Sequence, residues 1–240
     1  MKIGVFAYNF KHQKTQNGLQ NLMLAGYKPE IIFAADPIEL NFYQSKIRTS
    51  PKDLFLWHPK DIAKFYGIDY VVCQHNSEEV SKIVKEKKLD LGIILGARIL
   101  KPIAFENFSI GVLNMHPGIL PDNRGLDNLK WAINKKIPQG VTVHLIDEKI
   151  DKGLKIDQEK IKIYQDDTLL DLQIRIQGLE QKLMLESIKY IEKNGKNNLQ
   201  CFNSDGQYFK SMPEVEEKKL FLEFEEYKKI YSEENNAGNN

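Results

Sequence analysis

Asn114, His116 and Asp151 place an amide, an imidazole and a carboxylate in otherwise apolar stretches of the 240-residue chain. Asn114 and His116 are separated by one residue in Asn114-Met115-His116-Pro117. On an extended strand, side chains two apart point the same way. The two polar groups therefore line one side of a cleft while Met115 turns into the fold. Pro117 has no N–H for a continuing ladder and ends the strand. An amide donates a hydrogen bond without titrating, and an imidazole moves a proton near neutrality. Alone, each residue also has an ordinary reading: a histidine before proline is a common turn residue, and Asp151 before Lys152-Gly153 makes an ordinary turn. No serine or cysteine stands poised as a covalent nucleophile.

A polar strand end has to be held by a scaffold, and the rest of the chain predicts one. Apolar runs at Ile3–Ala7, Ile31–Ala35, Tyr70–Cys73, Leu89–Leu95 and Ile110–Met115 read as buried strands. Helical spacing falls between them at Leu19–Ala25, Pro59–Tyr66, Glu78–Lys87 and Pro102–Asn107. Such alternation predicts βαβ units and a mainly parallel sheet, and parallel sheets place their chemistry at the strand ends. A helix at Leu126–Asn134 follows, then strands at Val141–Leu145 and Leu154–Ile163. A long helix spans Thr168–Glu192, with Asp167 as its expected N-cap and Gly195 at its end. Trp131 is expected in the core. Two short runs around Ser204-Asp205-Gly206 predict a hairpin. The fold class is thus α/β, with a catalytic domain over 1–194 and a small hairpin and helix appendage over 195–240. Its strand edges need covering, and a second copy in a homodimer is one way to do so.

Bulk properties narrow the function classes. A net charge of +1 lacks the basic excess that nucleic-acid binding needs. No apolar run reaches membrane-spanning length. The N-terminal run is too short for a signal peptide, which with the two distant cysteines, Cys73 and Cys201, points to a reducing cytoplasm. No metal-ligand spacing occurs. His12, His58 and His75 carry no partner pattern, and Lys11 and Lys14 read as a solvated loop.

Three blocks then occur in register. Asn114-Met115-His116-Pro117-Gly118-Ile119-Leu120-Pro121-Asp122-Asn123-Arg124-Gly125 fits N-x-H-P-x-x-L-P-x-x-R-G, and Gly140-Val141-Thr142-Val143-His144 fits G-x-T-x-H. Asp151-Lys152-Gly153 fits D-x-G. With Gly96-Ala97-Arg98-Ile99-Leu100 ahead of them, this stretch resembles the folate-dependent formyltransferase family. The resemblance implies a Rossmann-like catalytic domain that takes a formyl group from 10-formyltetrahydrofolate to an amine, without a metal. It assigns the family's catalytic Asn, His and Asp to Asn114, His116 and Asp151. It places folate against Arg98, Ile99 and Leu100 and against the loop with Ile146, Asp147, Glu148 and Asp151. Asn123 and Arg124 are the expected acceptor contacts, and His144 is a structural or folate-pocket residue. Asn114 would donate to the oxygen that gains charge in a tetrahedral adduct, and His116 would act as base or electrostatic stabiliser.

For the acceptor, the segment after the first strand, Tyr8 to Gly18, holds a single glycine. A backbone cradle for phosphate wants more, which argues against glycinamide ribonucleotide. A short tail and near-neutral charge argue against methionyl-tRNA. The chain is most similar to nucleotide-linked sugar N-formyltransferases of the dTDP-4-amino-4,6-dideoxyglucose type, which serve surface polysaccharide and O-antigen synthesis. A non-catalytic binding module of the same fold is the contrasting reading.

Overall fold

The computed structural model describes residues 1–39, 43–203 and 206–232. The N-terminal half alternates as expected: β1 (Ile3–Tyr8), α1 (Gln13–Leu24), β2 (Ile31–Ala35), α2 (Pro59–Tyr66), β3 (Asp69–Val72), α3 (Glu78–Lys87), β4 (Leu91–Ile94), α4 (Pro102–Phe105) and β5 (Gly111–His116). It continues through β6 (Arg124–Gly125), α5 (Asn128–Lys135), β7 (Gly140–Leu145), β8 (Leu154–Lys160), α6 (Leu169–Asn194), β9 (Gln200–Cys201), β10 (Tyr208–Phe209), α7 (Glu214–Glu217) and α8 (Leu220–Tyr231). The main sheet has the order β3-β2-β1-β4-β5-β7-β8-β9. The first five of these strands run parallel, and β7, β8 and β9 each pair antiparallel with the strand before them in that order.

Both faces of the sheet are covered over β2, β1 and β4, so these strands are almost continuously apolar. Val5, Ala7, Ile32, Ala34, Ile93 and Met115 face α1, α2 and α6, while Phe6, Ile31, Phe33 and Val112 face α3 and α4. Chain order reverses between β1 and β4, and ligands of open α/β sheets bind beyond the strand ends at such a point. The turn after β1, the turn after β4 and the polar end of β5 all converge there.

Three expectations change. The cap of α6 is Thr168 rather than Asp167: Thr168 and Asp171, three residues apart, satisfy each other's backbone N–H in a capping box. Asp167 instead takes the forked guanidinium of Arg175 at 2.8 and 2.9 Å. Gln200–Cys201 and Tyr208–Phe209 form no hairpin with each other. β9 extends the main sheet beside β8, and β10 pairs with β6; Ser204 and Asp205 of the expected turn lie outside the described residues. The physical reason is Phe209, whose ring stacks on Trp131 at 4.9 Å and is buried there. This holds β10 against Gly125, where a Cβ would stand 2.1 Å from the Phe209 carbonyl oxygen, so only glycine admits the approach. Trp131 itself is half-buried, its Nε1 donating to the Lys210 carbonyl.

The C-terminal segment packs on α5 and α6. Leu220, Phe224 and Tyr227 of α7–α8 join the same core as Val5 and Leu113. Glu217 is buried and accepts from Tyr43, Ser45, the Lys46 N–H and Lys130, tying the segment after β2 to α5. Burial alone would raise its carboxyl, but those four donors outweigh it and hold the pKa at about 2. Among the described residues no helix is long and apolar enough to cross a membrane.

Candidate active site

A cavity of about 510 Å³ opens at the ends of β1, β4 and β5, within the size range of small-molecule sites. On its floor, β5 presents Asn114 and His116 on one side, as period-two geometry requires, while Met115 is fully buried. Asp151 arrives from the loop between β7 and β8 in the left-handed region, at φ 54°. That loop is held tight by Gly153, where a Cβ would meet the Leu145 carbonyl oxygen at 1.7 Å; the glycine of the D-x-G block exists for this close approach.

Asp151 Oδ1 lies 3.4 Å from His116 Nδ1 and 3.9 Å from His144 Nε2, and Oδ2 accepts the Gly125 N–H at 2.9 Å. His116 Nε2 is 2.7 Å from the Asn123 carbonyl oxygen. A carbonyl only accepts, and it lies closer to Nε2 than the Asn128 amide nitrogen at 3.2 Å, so Nε2 carries a proton and Nδ1 is the ring atom that faces the carboxylate. The Asn114 amide nitrogen lies 3.2 Å from His144 Nε2. His144 is completely buried, and desolvation pushes its pKa well below the ordinary imidazole range, against the pull of Asp151. Kept neutral, it accepts one N–H of Asn114, which fixes the amide's orientation and leaves its second N–H for a ligand. The arrangement therefore offers a non-titrating donor beside a proton acceptor backed by a carboxylate.

The walls carry the remaining expected residues. Arg98, Ile99 and Leu100 line one side, with Arg98 and Ile99 exposed and Leu100 buried; Ile146, Asp147 and Glu148 line the other. Arg98 has no ion-pair partner among the described residues. Its charge reaches Tyr8, whose phenol is raised by burial and eased back by the guanidinium. Tyr208, from β10, also borders the cavity.

Asn123 and Arg124, the expected acceptor contacts, are not among the residues that line the cavity. Asn123 is wholly buried; its side chain donates to the Asn128 carbonyl at 2.8 Å and its backbone carbonyl holds His116. Arg124 donates from Nε to the Ile150 carbonyl at 3.1 Å, next to Asp151, and lies 5.8 Å over the Tyr208 ring. The segment carrying them runs from the contact of Asn123 with His116 on β5 to the pairing of Arg124–Gly125 with β10.

The sequence reading missed two wall residues. His12 packs edge-on against Tyr8, which itself stacks on Phe10 at 4.9 Å. Burial, helped by Lys14, lowers the His12 pKa to about 4. Lys14 is no solvated loop residue: it sits in the first turn of α1 and ion-pairs with Glu180 at 2.7 Å. No local signal marks that pair, since its members lie on helices far apart in sequence. His75 is buried between the carbonyls of Ala7 and Phe33, and His58 caps α2, so neither reaches the site.

Known proteins bear on this geometry. The profile of the formyl transferase family matches residues 53–188. The chain is 30% identical over 217 residues to the bifunctional polymyxin resistance protein ArnA of Wigglesworthia glossinidia brevipalpis, covering 87% of this chain and 30% of that protein. It is 28% identical over 177 residues to methionyl-tRNA formyltransferase of Kosmotoga olearia, covering 72% and 56%. The chain thus spans less than two thirds of either relative. Among solved structures, the N-formyltransferase from Helicobacter canadensis in complex with folinic acid and dTDP-3-aminofucose superposes with a TM-score of 0.64 at 22% identity, over 93% of this chain and 80% of that one. Phosphoribosylglycinamide formyltransferase from Streptococcus pneumoniae does so with a TM-score of 0.61 at 23% identity, over 80% and 98%. At these identities the likeness shows a shared fold.

Proposed function

The chain belongs to the formyl transferase family, and on that premise we propose that it transfers a formyl group from 10-formyltetrahydrofolate to the amine of a nucleotide-linked amino-deoxy sugar, of the dTDP-4-amino-4,6-dideoxyglucose type. The observation that carries this reading is the convergence of Asn114, His116 and Asp151 on one cavity floor, with His116 Nδ1 3.4 Å from Asp151.

In the proposed step the acceptor nitrogen attacks the formyl carbon and forms the new C–N bond. Charge builds on the former carbonyl oxygen, where the free N–H of Asn114 donates. The proton shed by the nitrogen passes to His116 Nδ1, beside the Asp151 carboxylate. Collapse breaks the bond between the formyl carbon and N10 of the folate, and the proton held by His116 is passed on to N10, which leaves as the secondary amine and restores the imidazole. Arg98, Ile99, Leu100 and the Ile146–Asp151 loop are the proposed folate walls.

The sugar-nucleotide acceptor is supported by the turn after β1. Tyr8 and Phe10 fill it with stacked rings instead of a glycine cradle for a terminal phosphate. An adjoining cavity of about 270 Å³, bordered by Ser45, Thr49, Gln173 and Gln177, gives polar room for the distal part of such an acceptor. The neighbour from Helicobacter canadensis is described with a ligand of this class. A role in O-antigen synthesis, cytoplasmic residence and a homodimer belong to the same proposal.

Incubation with 10-formyltetrahydrofolate and a panel of dTDP-amino sugars, with glycinamide ribonucleotide alongside, tests it by mass spectrometry. A dTDP-sugar heavier by one formyl group is the expected product. Formylation of the ribonucleotide alone would replace the acceptor class, and no product from any amine would remove the transferase reading.

A further inference from the structure

We propose that the buried Lys14–Glu180 ion pair is the positioning device that holds the reactive end of β5 in register, a reading that rests on the formyl transfer proposed above.

The need for such a device follows from the sheet. The Ile146 N–H donates to the Val112 carbonyl, so Val112, Asn114 and His116 direct their backbone groups toward β7. By strand alternation Leu113 and Met115 direct theirs toward β4. Pairing of β4 with β5 ends at Ile93 and Leu113. Beyond it β4 turns away, as Leu95 and Gly96 both donate to the Phe6 carbonyl of β1. The Met115 carbonyl is thereby left facing a gap where no strand can pair with it. This divergence opens the cleft, and it also frees one edge of the residue between Asn114 and His116.

Lys14 fills that gap. Its Nζ donates to the Met115 carbonyl at 3.1 Å and to Glu180 Oε1 at 2.7 Å. The neighbouring Thr15 makes the matching stitch on the other strand, its hydroxyl donating to the Leu95 carbonyl at 3.3 Å. The first turn of α1 thus secures both strand ends where they part. Glu180 is on α6, and its side chain is only 4% exposed against 21% for Lys14. A buried carboxylate with one cation nearby fixes where that cation sits, because moving Lys14 would leave Glu180 charged and unpaired. The ammonium is therefore held at the Met115 carbonyl by its counter-ion as well as by the hydrogen bond. Asn114 and His116 lie one residue to either side, and a displacement of about 1 Å in such groups costs on the order of a hundredfold in rate.

Lys14→Met, Lys14→Arg, Glu180→Gln and the Lys14→Met/Glu180→Gln pair test the assignment by steady-state kinetics. Hydrogen exchange across 113–117 is followed in the same variants without substrates. Lys14→Met should lower kcat by about tenfold to a hundredfold with KM for both substrates little changed, and should speed exchange at the strand end. Lys14→Arg, which keeps a cationic donor, should recover most of kcat. Glu180→Gln should cost less than Lys14→Met and add nothing on top of it, since it acts through the same contact. A rise in KM at unchanged kcat would make Lys14 an acceptor contact and overturn the proposal. So would equal losses in the Met and Arg variants, or additive losses in the pair. Should Lys14→Met not fold, the Glu180→Gln variant carries the same readouts. If the parent protein turns over no amine, the transfer reading fails, and unchanged exchange at 113–117 separately rejects the tether.

Discussion

On the cavity floor Asn114, His116 and Asp151, with the buried His144 beside them, are each held in place: one imidazole by a carbonyl, the other by burial, the amide by that second imidazole, the carboxylate by the Gly125 N–H. At the rim, Arg98, Ile99, Asp147, Glu148 and Tyr208 are exposed, and Arg98 has no ion-pair partner among the described residues. Asn114, His116 and His144 stand on paired strands, where a residue cannot shift without disturbing a ladder, and Asp151 on a loop that Gly153 holds tight. Apart from Tyr208 the rim is built from turns, which accept side-chain changes at little structural cost. On the proposed function the difference separates two tasks: the floor would align reacting groups, for which small displacements are expensive, and the rim would read the remainder of each substrate.

The sharpest way to break this division is to remove a floor donor. Asn114→Ala should lower kcat by about a hundredfold to a thousandfold, the usual loss for one oxyanion donor, with KM nearly unchanged in steady-state assays. Activity within a few-fold of the parent protein would show that the floor does not perform the chemistry and would favour a binding module.

A rim change should look different. Arg98→Met should raise KM for an anionic substrate by about tenfold and leave kcat near its starting value, as loss of uniform binding does. The gap should narrow in high salt, which screens an exposed charge. A fall in kcat at constant KM would instead place Arg98 with the floor.

The smallest effect is on stability against pH. His12, lowered to about 4, and the neutral, buried His144 resist protonation when folded, whereas the unfolded chain binds those protons below about 6.5. Stability is therefore full above pH 6.5 and is lost as pH falls toward 4. Glu217, held at about 2 against 4.5 when unfolded, adds a second loss as pH drops through 4.5 toward 2. Thermal unfolding across this range should show both stages, and His12→Gln should flatten the upper one. An unchanged slope in that variant would mean that His12 protonates freely in the folded protein.

Much of the scaffold was legible in the order of residues. The runs that became β1, β2 and β4 are apolar because both faces of the sheet are covered there, and Pro59, Pro102 and Gly195 mark helix ends by their own backbone preferences. The hairpin was misread because two short runs flanking a turn say nothing about stronger partners elsewhere. The stack of Phe209 on Trp131 and the open edge of Arg124–Gly125 outcompeted local pairing. The internal partners of Asn123 and Arg124 were not legible for a related reason: a polar residue in a motif reveals its chemistry but not its direction. His144 was legible as a polar residue on a strand, but its grip on Asn114 depends on the pairing of Asn114 with His144 across β5 and β7.

The sequence by itself determined the kind of groups available and their local geometry: an amide and an imidazole two apart on a strand, a proline to end it, and an aspartate beside a glycine that allows a close turn. Those are properties of neighbouring residues, set by backbone sterics and side-chain chemistry. Only the tertiary structure decided which groups meet. It set the proton on His116 Nε2 through the Asn123 carbonyl, kept His144 neutral by burial, brought Arg124 to the Ile150 carbonyl, and gave the Met115 carbonyl its donor from Lys14. Each outcome depends on distance and desolvation between segments remote in the chain, and neither quantity exists until the sheet has closed around them.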